Sequence, residues 1–268
     1  FYVMTIFPAL GFFDIETMRY SFAADHYQYL ASLGWISLFV SGCYQLFHDR
    51  GKAWLGIGGV VFVVGLLAFL SYQQSQIYQN QRTLYEDVLS KNPQSWMAHN
   101  NLGCLYSREG RYEDALVSFS ETIEIYPGFY LAYRNRAIAN LNLKRYDEAA
   151  ADATKAIEVW TSAESVDLRG FIYFKQGLFK RALHEYDVCL RLDPDFIPGL
   201  LVRGEIYGLL GFDALALQDF SKVIANDPRN CHAYQLRALI YRRHGESAKV
   251  AQDKLTAERF GCLLKGVE

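Results

Sequence analysis

The sequence lacks the residue patterns that most directly indicate catalysis, metal binding or nucleic-acid binding. It has six histidines without an HExxH motif, no glycine-rich phosphate-binding loop and no nucleophile elbow. Its net charge of −2, without a basic stripe, argues against nucleic acid as a partner. We therefore expect no metal, no cofactor and no catalytic residue here. Without a CxxC or paired spacing, free and mostly buried thiols are expected at Cys43, Cys104, Cys189, Cys231 and Cys262.

What the sequence does have is a regular repeat marked by prolines and glycines. Pro93, Pro127, Pro194 and Pro228 recur at one regular spacing, and the proline that this spacing predicts near Thr161 is absent. The same spacing separates Gly110, Gly177, Gly211 and Gly245, with Lys144 at the missing step. A period of about 34 residues is typical of the tetratricopeptide repeat (TPR), a helix–turn–helix unit that stacks into a solenoid. The sequence therefore predicts an all-α TPR solenoid of about five repeats.

Aligned repeats alternate small and large residues in a way that suits antiparallel helices. With the closing proline at position 32, the repeats begin at Trp96, Tyr130, Ala163, Ile197 and Cys231. Position 8 is always small: Gly103, Ala137, Gly170, Gly204 and Ala238. Position 24 reads Phe119, Ala153, Tyr186, Phe220 and Lys254. We expect large residues of one helix to pack against small residues of the other.

Four repeats also carry an arginine at position 7 together with an acid at position 23. The first repeat has neither, with Leu102 and Ser118 instead. One interpretation is a structural pair that ties the two helices of a repeat, or one repeat to the next. The alternative is a row of cations that holds an anionic partner. The pairs are Arg136 with Asp152, Arg169 with Glu185, Arg203 with Asp219, and Arg237 with Asp253.

The first quarter of the chain is different, because residues 28–47 and 53–72 contain no charged residue. About 20 apolar residues span a bilayer core, so these runs predict a transmembrane hairpin; a buried hairpin of a soluble domain is the alternative. Residues 1–13 are interpreted as the tail of a third membrane helix. The predicted fold class is thus two transmembrane helices, plus the tail of a third, followed by the solenoid.

The predicted domains are the end of a membrane segment with an extracytoplasmic loop (1–27), the transmembrane hairpin (28–72), a juxtamembrane helix or solenoid cap (73–92) and the TPR domain (93–268). The second membrane helix is expected to run on for about 39 residues from Ala53 as one rod. Two cations within residues 48–52 place that loop in the cytoplasm and the repeats on the periplasmic or luminal side.

Two stretches together resemble a known family. Residues 19–34 (RYSFAADHYQYLASLG), and the stretch from Leu84 through Pro93 and Trp96 to Gly103, resemble transmembrane, TPR-containing O-mannosyltransferase-like proteins. The resemblance implies a multi-spanning glycosyltransferase that uses a lipid-linked sugar. It also implies that the catalytic acid lies in an earlier loop, so this chain alone would be inactive.

Within that resemblance, the loop before the hairpin could contact a lipid phosphate. Arg19, Asp25 and His26 lie where a membrane helix would meet water, and guanidinium groups match phosphate oxygens. The alternative is an interfacial belt that anchors the helix at headgroup depth.

The first helices of the repeats predict a groove of mixed character on the concave face. Asparagines and arginines could meet the backbone of an extended polypeptide, and apolar side chains could meet its side chains. The predicted lining residues are Asn100, Asn101, Arg108, Arg134, Asn135, Ile138, Asp167, Phe171, Phe174, Lys175, Leu201, Glu205, Gln235 and Arg242.

Two functions fit these features. In the first, the repeats belong to a lipid-linked-sugar glycosyltransferase and bind an extended partner or acceptor. In the second, the chain is a non-enzymatic, membrane-anchored scaffold for assembling an envelope or membrane complex. The expected partners are a protein or extended peptide on the concave face and membrane lipid, including a polyprenyl-phosphate sugar, with no nucleic acid.

Overall fold

A computed structural model describes residues 42, 45, 53–77 and 80–262 of the chain. Within these residues all regular structure is helical, in twelve helices. The chain divides between Lys91 and Asn92 into two compact units.

The first unit contains α1 (Ala53–Ile77) and α2 (Gln81–Lys91). The prediction of one continuous rod from Ala53 into the solenoid cap is wrong, because α1 ends at Ile77 and a new helix begins at Gln81. Asn80 starts that new helix: its side-chain Oδ1 accepts a hydrogen bond from the backbone N–H of Thr83 at 2.9 Å. Asparagine favours this capping position, because its short side chain satisfies an N–H that the first helical turn leaves unpaired.

The prediction of transmembrane helices is also wrong. Across residues 42, 45, 53–77 and 80–262, no helix combines the length and apolar character that crossing a membrane needs. The prediction relied on two uncharged runs of about 20 residues, of which residues 53–72 are almost wholly apolar. Glycines at four positions between Ala53 and Tyr72 add little apolar side-chain area, and α1 continues beyond Tyr72 into a polar Gln-Gln-Ser-Gln run. Most of residues 28–47, and all of 1–27, lie outside the described residues.

The second unit is a stack of five helix pairs. We call the first helix of each pair the A helix and the second the B helix. The pairs are α3 (Trp96–Arg108) and α4 (Tyr112–Ile125), α5 (Tyr130–Asn142) and α6 (Tyr146–Val159), α7 (Ala163–Lys175) and α8 (Phe179–Leu192), α9 (Ile197–Leu209) and α10 (Asp213–Asn226), and α11 (Cys231–Arg243) and α12 (Ser247–Arg259).

The periodic residues explain why the helices begin and end where they do. Pro127, Pro194 and Pro228 each stand just after a B helix, and Pro93 stands just after α2, where a proline ring cannot continue the helix. All four stand shortly before the next A helix. The second repeat has Thr161 in place of its closing proline, and there Ser162 caps α7 by accepting a hydrogen bond from the N–H of Ser165. Every A–B turn of the stack carries a left-handed residue two positions after the A helix, and in the second repeat this is Lys144, with φ of +59°.

The apolar core is a row of small clusters rather than one centre, because each repeat buries its surface against its neighbours. Position 8 glycines touch the aromatic residues of position 24. A Cβ placed on Gly103 would lie 2.6 Å from the ring of Phe119, and one on Gly204 would lie 2.7 Å from the ring of Phe220. Neighbouring A helices also contact one another. The A helices therefore form the inner face of the stack.

Candidate functional site

All fourteen residues predicted to line the groove lie on the A helices of the second unit. Arg108, Lys175 and Arg242 are exposed, and the others are half-buried. No groove residue is fully buried, so each keeps part of its surface open to a partner. We call this surface the inner face.

At the start of the inner face the structure brings two asparagines and a thiol together. Asn135 donates from Nδ2 to Oδ1 of Asn100 at 3.4 Å and to Sγ of Cys104 at 3.5 Å. These contacts link α3 to α5 and are long, so the amides keep most of their hydrogen-bonding capacity. Arg108, one turn beyond Cys104, donates from Nε to the Cys104 carbonyl oxygen at 3.4 Å.

The middle of the inner face is aromatic. The rings of Phe171 and Phe174 have centroids 6.2 Å apart, and Lys175 Nζ lies 4.9 Å from the Phe171 centroid and 5.7 Å from the Phe174 centroid. Phe174 also packs against Phe179, so part of its ring belongs to the core of the third repeat. Phe171 is therefore the aromatic side chain that contributes most directly to the surface.

Beside these rings lie four polar groups from four different helices: Arg134 on α5, Asp167 on α7, Tyr186 on α8 and Glu205 on α9. Burial raises the pKa of the Asp167 carboxyl to about 6, against the attraction of Arg134. Burial, with Asp167 and Glu205 nearby, also raises the pKa of the Tyr186 hydroxyl. The hydroxyl of Tyr186 and Nε of Arg134 are buried and have no hydrogen-bond partner among the described residues. The sequence pattern indicates only a packing role for Tyr186, because position 24 is aromatic in other repeats for packing reasons.

The position 7 arginines lie within the stack, between B helices. Arg203 binds Asp219 bidentately, with Nε 2.9 Å from Oδ2 and Nη2 2.8 Å from Oδ1. Its Nη1 reaches Asp187 on the preceding B helix at 2.9 Å. The hydrogen bond to Asp219 is the main cause of the raised pKa of Arg203. Each arginine thus joins its own repeat to the one before.

The other three arginines repeat this arrangement, with a hydroxyl as the second partner. Arg136 and Arg237 hold Asp152 and Asp253 bidentately, and their Nη1 atoms donate at 3.0 Å to Ser120 and Ser221 of the preceding repeat. Arg169 meets Glu185 through a single bond from Nη2 at 2.8 Å, with Nη1 3.3 Å from Thr154. Its Nε has no partner among the described residues. Glutamate is one methylene longer than aspartate, which changes how its carboxylate meets the guanidinium fork.

A cleft of about 370 Å³ lies between α8, α9 and α10, and Asp187, Arg203, Asp219 and Lys222 are among the residues that line it. Arg203 is already held by two carboxylates there. The cleft therefore offers a ligand fewer free donors than its lining suggests.

Two of the cysteines contradict the prediction of free thiols. Cys231 and Cys262 form a disulfide, with Cα atoms 5.4 Å apart. They occupy positions 1 and 32 of the last repeat, which the folding of one helix pair brings together. Pairing at this distance along the chain has no local sequence signature. Cys104 and Cys189 are free thiols, and burial raises the pKa of Cys189 to about 12. Cys43, with Arg19, Asp25 and His26 of the predicted lipid-phosphate contact, lies outside the described residues.

Comparison with known proteins agrees with the repeat structure. The profile of the tetratricopeptide repeat family matches residues 96–129. Tetratricopeptide repeat protein 6 of Homo sapiens is 26% identical over 172 residues, covering 64% of this chain and 33% of that protein. Protein O-mannosyl-transferase Tmtc3 of Drosophila melanogaster is 23% identical over 201 residues, covering 68% of this chain and 22% of that protein. The chain thus spans a third or less of these two curated relatives.

Solved structures share the fold. PilW, a type IV pilus biogenesis factor, superposes with a TM-score of 0.61 at 20% identity, covering 71% of this chain and 89% of that one. YrrB, described as a TPR protein with an unusual peptide-binding site, gives a TM-score of 0.51 at 19% identity, covering 66% and 91%. The fold and the repeats together define this protein as a TPR repeat protein. Its repeats form a protein-interaction module.

Proposed function

We propose that the second unit binds an extended segment of a partner protein along the inner face. The observation that carries this proposal is the aromatic and amide surface of the A helices, where Phe171, Asn100 and Asn135 are half-buried and keep part of their surface open. A half-buried ring offers apolar area to a side chain, and an amide can both donate to and accept from a peptide backbone.

An array of overlapping peptides from candidate partners, probed with the full chain, tests this proposal. Phe171→Ala and the double variant Asn100→Ala/Asn135→Ala are each expected to weaken captured peptides about tenfold or more, the size of an interface hot spot. Val117→Ala is the matched control, because Val117 lies on α4 with 64% of its surface exposed. Equal losses in the control and the inner-face variants would reject the inner face as the binding surface.

A second candidate follows from the Tmtc3 match, which covers 68% of this chain. In it, the repeats belong to a larger O-mannosyltransferase and present its acceptor polypeptide. The test is mannose transfer by the complete protein to an unfolded acceptor. Inner-face variants should raise KM for the acceptor while kcat is retained. An unchanged KM would show that the inner face does not bind the acceptor during mannose transfer.

We also propose that the second unit works in an oxidising compartment, such as a periplasm or a lumen. The disulfide between Cys231 and Cys262 supports this, because such bonds persist mainly outside the reducing cytosol. Thiol alkylation of the protein in intact cells, followed by mass spectrometry without reduction, measures the state of both residues. Recovery of both cysteines as alkylated thiols would contradict the proposal.

A further inference from the structure

The inner face of the third and fourth repeats holds two carboxylates and two apolar side chains at the corners of one small area. Asp167 and Phe171 are one turn apart on α7, and Leu201 and Glu205 are one turn apart on α9. They occupy positions 5 and 9 of consecutive repeats. Residues at the same position of consecutive repeats occupy corresponding places on neighbouring A helices, so the repeat register pairs Asp167 with Leu201 and Phe171 with Glu205. Acidic and apolar side chains therefore alternate around the area.

Beneath this area ends the side chain of Tyr186. The residue is fully buried on α8, and its ring reaches α7, where a Cβ placed on Gly170 would lie 3.2 Å from Cζ. Its hydroxyl lies close enough to Asp167 and Glu205 for both carboxylates to disfavour its ionisation, which raises its pKa. The hydroxyl is buried and has no hydrogen-bond partner among the described residues. A buried hydroxyl without a partner is unfavourable, so a ligand group that supplies the missing hydrogen bond would bind favourably here.

The nearby charges leave the Asp167 carboxylate without full compensation. Arg134 on α5 attracts Asp167, but burial outweighs this attraction and Glu164 on α7 opposes it, so the carboxyl pKa is raised. Among the described residues, no cation lies within ion-pair distance of Asp167 or Glu205. Lys175 has its ammonium group over the rings of Phe171 and Phe174.

We propose that this area is a subsite for one arginine or lysine side chain of the bound polypeptide, resting on the proposed inner-face binding. The cationic head would lie between Asp167 and Glu205, above the Tyr186 hydroxyl. Its aliphatic stem would pack against Leu201 and Phe171. A cation bound here would give Asp167 the counter-charge it lacks and could also meet Glu205, and long cationic side chains combine such a head with an apolar stem.

Small capped amino acids test the subsite on the full chain without a known partner. Nα-acetyl-arginine methylamide and Nα-acetyl-lysine methylamide are titrated against the protein carrying ¹³Cζ-labelled tyrosine, with Nα-acetyl-norleucine methylamide as the uncharged control. The cationic probes are expected to shift the Tyr186 ¹³Cζ resonance in a saturable way, and norleucine to shift it at least tenfold less. Equal shifts from all three probes, or none from the cationic probes, would overturn the proposal.

Variants complete the test. Asp167→Asn and Glu205→Gln are each expected to weaken arginine binding at least tenfold, while Glu121→Gln, an exposed residue on the B helix α4, leaves it unchanged. Thermal melting checks that each variant is folded.

The peptide array separates this subsite from the proposed function. Captured peptides without an arginine or lysine preference would reject the subsite alone. Probe binding without captured peptides would reject extended-peptide binding alone.

Discussion

At the scale of single residues, the tightest constraint on this fold is the approach of position 8 to position 24. Gly204 lies under the ring of Phe220 and Gly103 under that of Phe119, whereas Ala137 faces the small Ala153. The size of one residue is therefore matched to that of its partner within each of these repeats.

This matching predicts the effect of one added methyl group. Gly204→Ala should lower the free energy of unfolding by about 1–3 kcal/mol, because its Cβ would lie 2.7 Å from the Phe220 ring and force the packing apart. Gly208→Ala on the same helix is the control: its Cβ would meet Ile240 at an ordinary 3.5 Å, so the better helix propensity of alanine should raise stability slightly. Urea denaturation measures both, and equal stability of the two variants would contradict the prediction.

The raised pKa of Asp167 predicts that the stability of the protein depends on pH. Burial raises its pKa from 3.8 to about 6, so the folded state binds the proton more tightly than the unfolded state. The free energy of unfolding should therefore fall as pH rises from about 4 to about 6, and stay lower above that range.

Asp167→Asn removes this contribution and should raise the free energy of unfolding at pH 7 by about 1–2 kcal/mol, allowing for partial solvent screening. Urea denaturation at pH 4 and pH 7 compares wild type with the variant, and Glu121→Gln serves as an exposed control. A variant less stable than wild type at pH 7 would show that the Asp167 carboxylate is well compensated in the free protein. A gain in stability together with a loss of binding is the pattern expected of a functional group.

At the scale of helices, the arginine–carboxylate contacts join three helices rather than two. Arg203 comes from an A helix, Asp219 from the following B helix, and Asp187 from the preceding one. The sequence identified the arginine and the first acid by their joint recurrence. It did not reveal the second contact, because the residues that make it vary between serine, threonine and aspartate, which share hydrogen-bonding capacity but not charge.

A double-mutant cycle measures the central contact. Arg203→Leu alone should cost about 3 kcal/mol or more, because it leaves the carboxylate of Asp219 buried at 6% exposure without its counter-ion. Adding Asp219→Leu should recover about 1–3 kcal/mol of that loss as coupling energy. Asp187→Ala gives the control cycle, with coupling below about 1 kcal/mol because Asp187 is 46% exposed. Additive losses for Arg203 and Asp219 would refute the pairing.

At the scale of the whole second unit, stability is distributed along the stack, because each repeat contacts only its neighbours. The disulfide between Cys231 and Cys262 closes the fifth helix pair across a sequence separation of 31. A cross-link of that span restricts the unfolded state by about 3–4 kcal/mol in the chain-entropy account.

Reduction, or Cys262→Ser, should therefore weaken the last repeat selectively. Hydrogen exchange is expected to lose protection in α11 and α12 while α5 to α8 keep theirs, because repeats unfold in local units. Cys189→Ser is a poor comparison, since that thiol is buried; Cys104→Ser, at a half-buried free thiol, is the better one. Uniform loss of protection through all five repeats would mean that the disulfide stabilises the stack as a whole.

The repeat boundaries could be predicted from sequence, because local chemistry encodes them. The predicted repeat starts, such as Trp96 and Ile197, are the first residues of A helices. The prediction of transmembrane helices failed although residues 53–72 are uncharged and largely apolar. The prediction of one continuous rod failed because a single capping side chain, that of Asn80, starts a new helix. The repeat period alone placed the predicted groove residues on the A helices. It could not identify the side chains that contact them from other helices.

The sequence by itself determined that residues 93–262 form stacked helix pairs, since proline, left-handed turn residues and small–large alternation all act within a single repeat. Only the tertiary structure decided which side chains from different repeats meet. The convergence of Asp167, Tyr186 and Glu205, the second contact of each position 7 arginine and the disulfide between Cys231 and Cys262 all arise from the path of the chain through space. A repeat period specifies that path one unit at a time, whereas a site depends on where several units bring their side chains together.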